Sequence, residues 1–269
     1  MKCYIKNIVC DQEVSTDIKE LIPDAMVRRR MSKIVKQSVA TAVECAGGID
    51  SLRDYDAIIT ATGWGCLADS EKFLRNMIEN EEEMLNPTPF IQSTFNTPGG
   101  QIAMLAQNHC YNVTYVNRSH SLEDAFLDAF LRIEDGETMR ALVGTFDEQI
   151  ESSHKILQHL QSYETYPEGE GCTFLTLSSE KEEKSLAEVI KIDFPPFPMS
   201  EKECRERYCS SDESVLLYNN LADTGVYPTS SAKMLAKAVK EIKKGVKEVV
   251  VFNSFWSTTR PSVIVIRCI

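Results

Sequence analysis

No apolar run in this sequence approaches the ~20 residues that a bilayer-spanning helix requires. The stretches Val249–Phe252 and Val263–Ile266 are typical of its longest. That excludes a helical membrane span and reads as a soluble chain. Paired CxxC spacings are also missing, and the nine cysteines are scattered and odd in number. Both facts argue against a zinc site or a disulfide framework and predict reduced, cytosolic thiols, with no structural metal and no cofactor. Basic residues are the minority, 29 Lys and Arg against 40 Asp and Glu for a net charge of −11. Phosphate recognition draws on clustered cations, so nucleic acid is excluded as a partner. One compact basic cluster, Arg28-Arg29-Arg30 with Lys33 and Lys36, is expected to be the solvated face of an amphipathic helix. The opening Met1–Asn7 runs straight into a strand-like segment without the apolar core of a signal peptide, so export is not expected and a cytoplasmic location is. Histidine is scarce: His109, His120, His154 and His159 are all of it, and each precedes Gly169.

What is present is ordinary globular material, 269 residues with 43% apolar and 26% charged, enough for one large domain or two fused halves. Strand and helix signals alternate throughout, the pattern of layered α/β architecture. Strands are predicted at Cys3–Val9, Ala57–Thr62, Tyr111–Val116, Met139–Val143, Cys172–Leu177, Ala187–Ile192, Val215–Tyr218, Val246–Phe252 and Val263–Ile266. Apolar residues at helical spacing mark Met31–Val43, stopped by Gly47-Gly48, and Leu122–Ile133. The same spacing marks Met234–Ile242, closed by Gly245. Further helices are read at Asp69–Glu79, after Pro98-Gly99-Gly100, and at His154–Leu160. The charged, aperiodic stretch Ser179–Lys184 is the best boundary between two halves, residues 1–178 and the shorter 179–269.

Four segments, in order, carry a resemblance. They are Arg28-Arg29-Arg30-Met31-Ser32; then Ala61-Thr62-Gly63-Trp64-Gly65-Cys66-Leu67-Ala68-Asp69 running on to Leu74; then Pro87-Thr88-Pro89-Phe90-Ile91-Gln92-Ser93-Thr94 with Asn96-Thr97, Gly99-Gly100-Gln101-Ile102-Ala103 and Tyr111-Asn112-Val113-Thr114-Tyr115; and last Gly169-Glu170-Gly171-Cys172-Thr173-Phe174-Leu175. As an ordered set they resemble the β-ketoacyl synthase-like proteins of aryl polyene and flexirubin-type pigment clusters. The resemblance covers the first two-thirds of the chain, with a fainter echo at Asn253-Ser254-Phe255. It implies the thiolase fold, an α/β architecture of two βαβαβ-type halves whose sheets sandwich central helices, with the second half shortened here. It also implies a dimer, homo- or heteromeric, in which the strand at Tyr111, Val113, Tyr115 and Asn117 pairs across the interface.

The family's condensation needs a thiolate that carries the acyl chain and two imidazoles that stabilise the enolate left by decarboxylation. Matching the Leu122–Ile133 helix to the family's nucleophile helix puts Ser119, or its neighbours Arg118 and His120, where the cysteine belongs; no cysteine lies between Cys110 and Cys172. The resemblance places both catalytic histidines in the C-terminal half, which has none, and Val226 of Thr224-Gly225-Val226 stands in the position of one. After Phe255 the family's glycine-rich loop is replaced by Trp256-Ser257-Thr258-Thr259-Arg260-Pro261. Phe95 stands where fuller relatives carry histidine.

These departures point to a non-catalytic homologue, similar to a chain-length factor or accessory subunit, pairing with an active ketoacyl synthase. The acidic chain would then meet an acyl carrier protein only indirectly, through that partner. The alternatives are an acyl-thioester hydrolase or acyltransferase using Ser119, Cys110 or Cys66, and a stand-alone acyl-ligand-binding protein. Locally, Ser119 or Ser121 is expected to cap the helix that follows. Cys110 reads as a buried thiol, Gly63-Trp64-Gly65 as a turn, and Asp147-Glu148 as a capping or surface pair.

Overall fold

The computed structural model describes residues 1–159, 167–218, 221–254 and 260–269. Among the described residues nine strands form one sheet: β1 (Cys3–Cys10), β2 (Ala57–Ala61), β3 (Tyr111–Tyr115), β4 (Arg140–Asp147), β5 (Gly171–Ser178), β6 (Ala187–Asp193), β7 (Val215–Tyr218), β8 (Glu248–Asn253) and β9 (Ser262–Arg267). Their order is β3-β2-β4-β5-β1-β6-β9-β8-β7. β2 runs parallel to β3 and β4, with Ile59 beside Val113 on one side and Val143 on the other. β5 then runs antiparallel to β4 and β1. The second half repeats the theme with fewer strands, the parallel pair β7 and β8 followed by antiparallel β9 and β6. β1 pairs with both β5 and β6 and so joins the halves.

The central strands are apolar on both faces. All residues of β2 and β5, and β4 after Arg140, are buried, the signature of strands covered by helices above and below. On one face, the helices Ser121–Glu134 and Ser231–Lys243 share a single core with residues from both halves, among them Ile59, Val143 and Leu175 from the first and Val251, Ile264 and Ile266 from the second. The two helices are thus held between the two parts of the sheet, as a thiolase-like fold requires. On the outer face of the first half, the helices Lys33–Ala46 and Thr97–Ala106 pack on Ile58, Leu142, Phe146 and Phe174. Phe126 lies fully buried in the central core; truncating such a side chain to alanine typically costs about 3–5 kcal/mol.

Each predicted strand falls on an observed one. Three helical readings change. The Glu201–Tyr208 helix was not expected, because its sequence turns only Cys204 and Tyr208 inward, onto Val250, Phe252, Val263 and Val265. It is set by a capping box in which Ser200 Oγ accepts from the Glu203 amide and Glu203 accepts from the Ser200 amide. The basic cluster is split: Arg28, Arg29 and Arg30 end a separate helix, Ala25–Arg30, and the long helix starts afresh at Lys33 after Ser32. Arg28 is spent on the carbonyls of Ile22 and Pro23. Neither Ser119 nor Ser121 is the cap of the Ser121–Glu134 helix, whose N-cap is His120 without a side-chain bond.

Candidate functional site

The carboxyl ends of β2, β3 and β4 meet the amino ends of the two central helices, the place where open α/β sheets generally build their sites. The chain leaves β3 through Val116 and Asn117 and turns sharply at Arg118, whose φ of +52° is a left-handed conformation unusual for a residue with a β-carbon. Ser121 staples this elbow. Its hydroxyl accepts from the Asn117 amide at 2.8 Å and lies 2.8 Å from the carbonyl oxygens of both Thr62 and Arg118, to which it can donate. Ser119, which the motif match sets with Arg118 and His120 at the nucleophile position, sits buried inside the elbow. Among the described residues, no hydrogen bond joins its hydroxyl to an imidazole.

Asp147, at the end of β4, organises the surroundings. It is fully buried, and its two oxygens accept five hydrogen bonds. Oδ1 takes the Thr62 hydroxyl at 2.8 Å and the amides of Gly63 and Trp64 at 3.0 and 2.7 Å. Oδ2 takes the Thr229 amide at 3.1 Å and its hydroxyl at 2.7 Å. Burial pushes its carboxyl above the ordinary carboxylate range, and these donors pull it back. Two loops from opposite halves are thereby tied to one strand end. Of the two readings of Asp147-Glu148, capping and surface, the second is corrected, since Asp147 is fully buried and Glu148 only 3% exposed, while Glu148 does cap a helix. Its Oε1 accepts the Ala68 amide in the first turn of the Leu67–Glu79 helix, and burial raises its carboxyl to about 7.

A second buried set lies behind Ser119. Asn253 Nδ2 donates to the Ser119 carbonyl at 3.0 Å and to Glu123 Oε1 at 2.9 Å. Glu123 is buried and pushed upward for that reason, and its Oε2 has no hydrogen-bond partner among the described residues. The His120 ring packs edge-on to Phe194 with centroids 5.6 Å apart. Asn253 therefore anchors the backbone of the elbow where the family's closing loop begins.

The glycines of the matching motifs mark close approaches. A β-carbon on Gly63 would lie 2.2 Å from Pro228 Cβ, and one on Gly65 would lie 2.4 Å from the Phe95 ring. The Gly63-Trp64-Gly65 segment is a turn, as expected, and its glycines make room for Pro228 and Phe95. Gly169 packs on Gly225 and Tyr227, where Val226 is buried and its amide donates to the Pro167 carbonyl at 3.0 Å. Phe255 lies outside the described residues. Of the thiols, Cys66 is fully buried and burial raises it far above its usual range. Cys110 precedes β3, at the opposite end of the sheet from Ser119. Among the described residues no cluster of three or more His, Cys, Asp or Glu side chains is arranged to hold a metal ion. No described helix is long and apolar enough to cross a membrane.

β3 is the outermost strand of the first half, so one of its edges faces away from the sheet. Tyr111, Val113 and Tyr115 pack on the central core while remaining half-exposed. The Arg132 guanidinium stacks 3.5 Å above the Tyr111 ring. Asn117 is exposed and donates to Asp124 at 2.8 Å. Val116, 43% exposed, follows the strand directly, and Met104 and Leu131, 71% and 46% exposed, lie on the two helices that pack on β3.

Sheet order, the paired central helices and the elbow at a strand end together define a ketoacyl synthase-like protein of the thiolase fold. The family model described as β-ketoacyl synthase, N-terminal domain, matches residues 6–180, and the chain belongs to that family. No curated protein matches. Among solved structures, the chain is similar to the ishigamide ketosynthase/chain length factor, with a TM-score of 0.74, 16% identity and 100% of both chains covered. It is also similar to a β-ketoacyl synthase from Burkholderia phymatum, at 0.71 and 10% identity over 100% of this chain and 99% of that one. A ketosynthase in complex with its chain length factor from Xenorhabdus doucetiae aligns at 0.58 and 15%, over 98% and 99%. At these identities the likeness establishes the fold.

Proposed function

We propose that this chain is a non-catalytic ketoacyl synthase homologue, a chain-length-factor-like or accessory subunit of a fatty-acid or aryl-polyene type synthase. The observation that carries the reading is the elbow. The fold is kept, yet the position matched to the nucleophile holds a buried serine whose carbonyl is tied down by Asn253, and the second half brings no imidazole to it. A serine hydroxyl needs a positioned base to act as a nucleophile near neutral pH. Cys66, buried and strongly raised, and Cys110, at the far end of the sheet, offer little as substitutes, which weakens the acyl-thioester enzyme reading.

The partner is an active ketosynthase, docked along the outer edge of β3. An unpaired strand edge with apolar neighbours is a surface that pairing would satisfy. Similarity to structures of ketosynthases with chain length factors supports this choice of partner. With a net charge of −11, this subunit leaves docking of the acyl carrier protein to the synthase, in the cytoplasm. Co-expression with an active ketosynthase of an aryl-polyene or fatty-acid type system followed by size exclusion should give a stoichiometric complex, and Val116→Asp should dissociate it. A monomer under all conditions that instead retains a fatty acyl ligand would favour the stand-alone binding protein.

A further inference from the structure

At the opposite end of β4 from Asp147 the surface opens into a cleft of about 550 Å³, within the range of small-molecule sites. Arg140 opens the strand that Asp147 closes, so at ~3.3 Å per residue the cleft lies roughly 23 Å from the elbow. It is a separate place. Its walls come from elements that converge only here: the irregular step in β1 between Ile5 and Asn7, the turn at Gly47 that ends the Lys33–Ala46 helix, and the ends of β4 and β5.

The lining has a definite chemistry. Three cations, Lys6, Arg140 and Lys184, face one carboxylate, Glu182. Lys6 is committed, pairing with Glu182 at 2.8 Å and donating to Ser185 at 3.0 Å. The Arg140 and Lys184 side chains enter no salt bridge among the described residues. Deeper in, Tyr55 stands beside Thr176, and burial raises its phenol to about 12, so near neutral pH it remains a hydroxyl able to donate. Ala46 and the ring of Tyr55 supply an apolar wall. The cleft therefore offers a fork-shaped cation and a second cation at its mouth, a hydroxyl donor inside, and an apolar surface for a small organic body.

We infer that this cleft binds a small organic phosphate, its phosphate held by Arg140 and Lys184 and its body lying against Tyr55 and Ala46. A phosphate monoester matches the planar donor fork of arginine, and the one acid in the lining is already neutralised by Lys6. The inference does not depend on the subunit role, because the cleft lies away from both the elbow and the outer edge of β3.

Calorimetric titration of the full chain with phenyl phosphate tests it, with phenol and inorganic phosphate as controls. Phenyl phosphate should bind and phenol should not. Arg140→Ala should weaken binding about tenfold, the loss of one charge-assisted contact, and Glu182→Gln should leave it unchanged or tighten it. Both residues are on the surface, so circular dichroism and the unfolding midpoint of each variant should match the parent. Absence of binding, or binding indifferent to Arg140→Ala, would overturn the site. Inorganic phosphate binding as tightly as phenyl phosphate would overturn the role of the Tyr55 wall, and tighter binding of phenol would overturn the assignment to an anion.

Discussion

The two ends of β4 are built on opposite plans. At the Asp147 end, a buried carboxylate is surrounded by five donors and glycines let Pro228 and Phe95 pack against the turn after β2. At the Arg140 end, charged side chains stand in solvent around an open cleft. The first is where the family's chemistry would sit. The contrast teaches that the loops around the elbow are held by hydrogen bonds to a buried strand end, none of which uses the Ser119 side chain.

Four changes break or sharpen that contrast. Asp147→Ala should have the largest effect. It strands three amides and two hydroxyls in the interior, and a loss of at least about 4 kcal/mol in denaturant unfolding is expected. Gly63→Ala forces a β-carbon onto Pro228 and should cost about 3 kcal/mol by the same assay, the upper range of overpacking in a site that cannot give way. Glu148 adds a pH dependence. Its carboxyl is raised to about 7 in the folded chain from an ordinary 4.5, so its contribution is fully present below about 4.5 and is lost as pH rises through 7. Unfolding free energy should fall by about 2 kcal/mol between pH 5 and 8 from this group, and Glu148→Gln should flatten the profile. Glu248, held down at about 2 by Arg267 and the Ser210 and Ser214 donors against the pull of burial, acts in the opposite sense. Its contribution is lost only as pH falls below about 4.5, outside that window. The smallest effect belongs to the other end of the strand, where Arg140→Ala should change stability by no more than about 0.5 kcal/mol, as exposed positions generally do.

Much of this architecture was legible from residue order. The strands were visible because burial on two faces demands apolar runs such as Ala57–Ile59 and Val249–Phe252, and the central helices because a sandwiched helix needs an apolar stripe such as Leu122, Ala125, Phe126, Ala129 and Ile133. The Glu201–Tyr208 helix escaped notice because two inward residues make no stripe. At the site, Ser119 and Val226 were singled out by matching motifs, whereas the roles of Asp147, Thr229 and Asn253 were hidden. Their partners lie 82 to 134 residues away, and spacing along a chain carries no trace of such bonds. An acid closing a buried strand looks, in sequence, the same as one that reaches solvent.

The central claim is that the fold of a carbon–carbon bond-forming enzyme persists here without its chemistry. Intact-protein mass spectrometry of an acyl-primed, malonyl-loaded carrier protein incubated with the purified chain tests it most directly. The account predicts no elongated product and no acyl adduct on the chain, with elongation appearing only when the partner synthase is added. Elongation by the chain alone, or a stable acyl adduct on Ser119, would contradict it.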